Sequence, residues 1–192
     1  MATRNILKDG DSGLSKKSRV VTDFNGRLHQ LLDDMRETLI DANGLGLAAP
    51  QVGVLRRVAL IVDSSEDKAE NCEEINDLDE SDDFYEDDDY TEEELREFLN
   101  NKIIELINPE IISINGEQTD REGCLSVPGI YGIVTRPDVV VVRAQDRFGN
   151  TFELETSKLT ARAVCHEVDH LDGVLFTAKA ERILTDEEVS EG

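Results

Sequence analysis

The segment His166-Glu167-Val168-Asp169-His170 has the residue types and spacing to do chemistry. On a helix, two histidines four residues apart stand one turn apart on one face, so both rings can reach a single metal ion. The glutamate beside the first histidine can take a proton from a water held by that ion. The flanking residues support a helix from about Lys158 to Asp172, with Thr156 or Ser157 placed to cap it and Gly173 to stop it. Leu159, Ala163, His166 and His170 follow at helical spacing, so the histidines continue an apolar face expected to be buried. Two neutral imidazoles buried side by side need partners, and a shared cation supplies one. The competing reading is a pair of satisfied core histidines with a chance glutamate between them.

A hydrolytic metal site takes three protein ligands and keeps one position open. Metzincin-type proteases draw the third from a histidine after a glycine; here Gly173 is present but Phe176 stands in the histidine's place. Gluzincin-type proteases use a later glutamate, and Glu187 and Glu188 lie in a polar tail with no apolar face to hold them. Cys124, in Glu122-Gly123-Cys124-Leu125-Ser126, offers a thiolate, and a Cys-His-His set suits zinc or ferrous iron. A buried structural thiol is the other reading of Cys124. Cys72 reads as an exposed bystander, and Cys165 as packing on another face of the helix. Upstream, Gly44 to Gly53 is a glycine-rich loop. It matches the loose nucleotide fingerprint, but a helix precedes it where a strand is required, and Pro50 interrupts the helix that should follow. It reads better as backbone that approaches a substrate closely. Gln51 then offers an amide NH₂ to an oxygen gaining negative charge.

Other elements must position these residues. Phe24, Leu28, Leu31, Leu32, Met35 and Leu39 form one apolar helical face, with Thr22 or Asp23 as cap and Gly44 as a left-handed stop. Arg57 to Asp63 reads as a buried strand. Lys102 to Asn108 and Glu110 to Asn115 read as two strands separated by Pro109. Val139 to Ala144 and Thr151 to Leu154 flank a hairpin turn at Arg147 to Asn150. The segment Asp9 to Ser15 is polar, so any strand there is expected to fray.

The 192 residues suit one domain, and the formal charge is −23. Ser64 to Asn101 holds 18 acidic residues against two basic ones, so the acidity belongs mostly to one insert. The insert (64–101) is expected to be a mobile, solvated spacer with a short helix at Thr91 to Leu99, and 177–192 a polar acidic tail. The balance argues against direct nucleic-acid binding. No apolar run suffices for a membrane span, and the first residues do not form a secretory signal, so a cytoplasmic chain is expected. Three cysteines make a disulfide framework improbable.

Gly44-Leu45-Gly46-Leu47-Ala48-Ala49-Pro50-Gln51, Glu122-Gly123-Cys124-Leu125-Ser126 and His166-Glu167-Val168-Asp169-His170, in that order, resemble the three signature motifs of peptide deformylases. The resemblance covers roughly Ile6 to Phe176 without the insert. It implies an α+β fold, with mixed or antiparallel strands around a central helix carrying both histidines and a further N-terminal helix. It implies removal of the formyl group from N-formylmethionyl nascent peptides. Cys124, His166 and His170 would hold one divalent metal, Fe²⁺ in the cell, with Zn²⁺ or Ni²⁺ able to substitute. Glu167 would act as general base and then acid while hydroxide attacks the formyl carbon. Gln51 and the backbone N–H of Leu125 would polarise the formyl oxygen. Gly44, Gly46, Gly123 and Leu125 would lie against a peptide extended like an added strand. Asp169 is expected to pair with a basic residue such as Arg136 and brace the helix. Some family members dock on the ribosome through a basic C-terminal helix, for which this acidic tail has no counterpart. The rival readings are a zinc endopeptidase or other amidase on the same helix, and a structural metal module closed by four ligands.

Overall fold

The computed structural model describes residues 2–64, 91–185 and 188. Among the described residues, three helices and eight strands follow in the order α1 (Gly26–Asp41), β1 (Gly46–Ala48), β2 (Val58–Val62), α2 (Glu92–Lys102), β3 (Ile103–Asn115), β4 (Gln118–Cys124), β5 (Val127–Arg136), β6 (Val139–Gln145), β7 (Thr151–Ser157), α3 (Lys158–Leu171) and β8 (Arg182–Ile183). Short 3₁₀ turns stand at Ala49–Val52 and Phe176–Ala178. One antiparallel sheet has the order β1-β2-β3-β6-β7, and a second has β4-β5-β8. The fold is α+β, as expected.

β2 shows why α3 is central. Val58, Leu60 and Val62 pack on one side with Leu28, Leu32, Met35 and Leu39 of α1. Ala59 and Ile61 pack on the other with Ala161, Val164, Cys165 and Leu171 of α3. A strand covered on both faces must be apolar at every position, and VALIV is. The sheet thus separates α1 from α3.

Several boundaries differ from the sequence reading. α1 begins after Thr22 and Asp23, because Asn25 supplies the cap and accepts from Arg27 N and Leu28 N. Its left-handed residue is Asn43 (φ 49°), not Gly44. The strands on either side of Pro109 are one strand, β3. Asn108 (φ 52°) bulges there, so the proline's missing N–H falls at a break in register. The Asn108 side chain accepts from Val21 N and donates to Val21 O and Gln145 Oε1. Ser157 holds the N-cap position of α3 but makes no side-chain capping bond. Leu159 is not on the buried face: it is 44% exposed. Asp9 to Ser15 forms turns closed by Asp11, and not a strand.

The described end of the insert is more than a spacer. The Thr91 hydroxyl and the Glu94 carboxylate cap α2 reciprocally. Arg96 then ties α2 to Glu37 and Asp41 of α1. The loop expected earlier in the insert, and Cys72, lie outside the described residues. After α3 the chain does not run on simply as a tail, because β8 pairs with Gly132 and Ile133 of β5.

Candidate active site

α3 carries His166, Glu167 and His170 on its buried side, and β4 ends at Cys124. The Cys124 sulfur and one ring nitrogen of each histidine all lie within 4.8 Å of one another. His170 Nε2 is 3.2 Å from both Cys124 Sγ and His166 Nε2. The two rings meet edge to face at 4.8 Å, and Phe176 stacks on His166. Phe176, which replaces the metzincin histidine, thus packs the site's floor. Glu188 is bound by Arg182 and Thr185 and does not supply a ligand.

Gln51 sits on the 3₁₀ turn after β1, almost wholly buried. Its Oε1 accepts from Ala48 N at 2.7 Å, which fixes the amide's orientation. Nε2 is thereby turned to Ser126 Oγ at 3.2 Å and Cys124 Sγ at 3.6 Å. A donor therefore faces the three-atom cluster, with no rotation needed to present it.

Glu167 is 3% exposed, and its Oε2 has no hydrogen-bond partner among the described residues. Burial, the largest influence, holds its carboxyl up at about 7, against the lowering effect of His166. Its side chain lies against Gly46, where a Cβ would stand 2.8 Å from Glu167 Cγ. Gly46 thus makes the room that Glu167 occupies. Gly44 has a similar steric reason, since a Cβ there would meet Leu125 Cδ1 at 2.8 Å.

Glu122 organises the far side of the cluster. It accepts from Arg136 at 3.1 and 2.6 Å, contacts Arg162 Nη1 at 3.1 Å and holds His166 Nδ1 at 2.6 Å. Burial pushes its carboxyl up, but the bonds from His166 and Arg136 outweigh that and bring it to about 2. The carboxylate fixes the His166 ring so that Nε2 faces Cys124 and His170. Arg136 also reaches Asp169 at 2.6 Å, the pairing expected from sequence, and Lys179 closes on the other Asp169 oxygen at 2.7 Å.

A cleft of about 530 Å³ opens over these groups. Gly44, Gly46, Gln51, Gly123, Cys124, Leu125, His166 and Glu167 all line it, so the sequence-derived residues meet in one place apart from His170, which lies just beneath. Leu159 stands at this cleft, which explains its exposure. Lys8, Arg121, Ile130 and Tyr131 line it too and had no part in the sequence reading. Nor did Glu122 and Arg162 have assigned partners. Arg162, one turn before His166, was the available signal: a charge on the buried face of α3 requires a buried carboxylate.

One sulfur and two imidazole nitrogens converging without an intervening side chain suit a divalent metal of intermediate softness. The two rings sit in unequal electrostatic surroundings. Burial lowers both rings, but Cys124 and Glu122 raise His166, while His166 lowers His170 further.

The polypeptide deformylase family model matches residues 3–185. The peptide deformylase of Caldicellulosiruptor bescii is 47% identical over 191 residues, covering 100% of this chain and 93% of that one. Peptide deformylase 1 of Bacillus subtilis is 39% identical over 191 residues, covering 100% and 98%. Among solved structures, a Legionella pneumophila peptide deformylase is similar at TM-score 0.71 and 36% identity, covering 99% of this chain and 90% of that one. A class I type b peptide deformylase from Acinetobacter baumannii, solved with Met-Ala-Ser bound, is similar at TM-score 0.71 and 28% identity, covering 93% and 98%. With the cluster, the cleft and these likenesses in agreement, the chain belongs to the peptide deformylase family.

Proposed function

We propose that the protein removes the formyl group from the N-terminal formylmethionine of newly made cytoplasmic chains, with Cys124, His166 and His170 holding one divalent metal ion. The observation that carries the reading is the meeting of their three donor atoms within 4.8 Å at the base of a cleft. Fe²⁺ is the metal proposed for the cell, and Zn²⁺ or Ni²⁺ fits the same donors. When bound, the ion supplies Lewis acidity that lets water ionise near neutral pH.

Glu167 takes the proton from that water and passes it to the departing amine nitrogen. A carboxyl held up at about 7 can do both near neutrality. Gln51 Nε2 and the Leu125 N–H donate to the formyl oxygen as it gains charge. The orientation imposed on Gln51 by Ala48 supports this role. Gly44, Gly46, Gly123 and Leu125 border the bound peptide. β1 and β4 are both edge strands, and both line the cleft, so an extended peptide can run beside them as an added strand. The Met-Ala-Ser bound to the Acinetobacter relative corresponds to a deformylated peptide of this kind.

The test is formate release from formyl-Met-Ala-Ser by iron-loaded protein prepared without oxygen. Glu167→Ala is expected to retain the metal and lose nearly all turnover. No formate from fully metallated wild-type protein overturns the function; loss of metal from the variant overturns the role of Glu167.

A further inference from the structure

Three successive residues near the start of the chain each give one hydrogen bond to the segments that carry the proposed oxyanion donors. Leu7 N donates to Gln51 O at 2.7 Å, Lys8 Nζ to Leu125 O at 2.8 Å, and Asp9 N to Ser126 O at 2.8 Å. Gln51 lies on the turn after β1, in one sheet, while Leu125 and Ser126 join β4 to β5 in the other. Residues 7–9 therefore strap the two sheets together beside the site.

The strap is fixed on both sides. Upstream, Arg4 binds Asp34 of α1 at 2.9 Å, and Ile6 packs on the core beside α1. Downstream, Leu14 is buried, and Ser18 N donates to Leu171 O at the end of α3. Lys8 thus extends from held backbone, although its own side chain lies at the surface, on the rim of the cleft.

The bond from Lys8 acts on a peptide unit engaged at both ends. Leu125 C=O and Ser126 N–H belong to one planar trans peptide, so they point in opposite directions. Lys8 takes the oxygen, and the N–H points at Cys124 Sγ, 3.4 Å away. The Ser126 side chain is engaged as well, since its Oγ meets Gln51 Nε2 at 3.2 Å. The preceding peptide, which carries the Leu125 N–H, joins this plane through φ and ψ of Leu125 alone. Fixing one plane therefore restricts the other. Leu7 and Asp9 contribute backbone bonds that many side chains would allow, whereas the bond from Lys8 depends on the residue type.

We propose that Lys8 is a positioning residue for deformylation: its ammonium holds the Leu125–Ser126 peptide so that the Leu125 N–H faces the formyl oxygen as charge develops there. This rests on the function proposed above. A donor aimed in advance favours the transition state over the bound substrate, so its loss falls on kcat and not on KM.

The experiment measures formate release from formyl-Met-Ala-Ser by metal-loaded wild type, Lys8→Met and Lys8→Arg. Metal content, thermal midpoint and amide exchange across 122–127 are followed in parallel. Lys8→Met keeps the apolar stem but has no donor. It should lower kcat about three- to tenfold, the scale of one hydrogen bond, with KM within about twofold of wild type. Metal content and thermal midpoint should be unchanged, and exchange across 122–127 should quicken. Lys8→Arg restores a donor and should return kcat to within about twofold of wild type. A loss that appears in KM, that follows lost metal, or that Lys8→Arg does not reverse overturns the proposal. So does a lower kcat without faster exchange, which would place the effect in the charge alone. An active wild type matched by Lys8→Met defeats this inference alone. A wild type that releases no formate defeats the deformylase reading and this inference with it.

Discussion

At the scale of single residues, Glu122 orients the His166 ring within the Cys124–His166–His170 cluster. It touches none of the proposed ligands' donor atoms, yet it binds His166 on the ring nitrogen away from the cluster. Outer partners of this kind fix a ring's tautomer and direction, and losing them typically lowers metal affinity by about 10–100-fold. Glu122→Gln keeps the shape but removes the charge that Arg136 and Arg162 also share. We expect that variant to bind zinc about 10–100-fold more weakly in a chelator competition, with its helical circular dichroism retained. Unchanged affinity would show that the His166 ring is held by packing on Phe176 alone. The cluster itself was legible in sequence because His166 and His170 obey helical spacing, and Cys124 was the thiol left to complete them. The Glu122 partnerships were not legible: they join β4, β5 and α3, and only the packing of the sheets against α3 brings those segments together.

At the scale of elements, periodicity located α1, β2 and α3, because each has an apolar pattern fixed by what it packs against. Ends and interruptions were harder. Asn25 displaced two equally plausible caps, and Pro109 did not break β3, because the bulge at Asn108 absorbed it. Gly173 was read correctly as the stop of α3, and the structure adds a second reason for it. Its φ is +76°, and a Cβ there would stand 2.7 Å from the backbone carbon of Ser15. A left-handed alanine loses about 1 kcal/mol, and a clash with backbone adds a further 1–3 kcal/mol. Gly173→Ala is therefore expected to lower unfolding stability by about 2–4 kcal/mol in urea titrations. Gly53→Ala, also left-handed (φ +79°) but with open space around it, should lose only about 1 kcal/mol. Equal losses for the two would mean that contact with the Ser15 segment contributes nothing to holding the end of α3.

At the scale of the whole molecule, the acidic composition concealed how the charged side chains are used. Reading 64–101 as a solvated insert with a short helix accounted for the charge and for α2, but not for Arg96, which fastens that helix to α1. Just after α2, Glu105 of β3 accepts from Arg36 of α1 and from Arg147 of the β6–β7 turn, and Arg147 also reaches Asp33 of α1. One carboxylate thus ties a helix, a strand and a hairpin. Burial pushes its carboxyl up, but the two arginines outweigh that and leave it below the usual carboxylate value. Among the described residues, no helix is long and apolar enough to cross a membrane. A carboxyl whose pKa is lower folded than unfolded contributes stability that is fully present above the unfolded value, near 4.3. That contribution is lost as pH falls through the folded value. Glu105→Gln should therefore be less stable than the wild type by roughly 2 kcal/mol at pH 7, the scale of hydrogen bonds to a charged group. The gap should hold to about pH 5 and narrow below pH 4, as the wild-type carboxyl takes up its proton. Chemical denaturation of both proteins at pH 7, 5 and 3.5 measures it. A gap of constant size across that range would mean that the side chain's shape, and not its charge, joins the three elements.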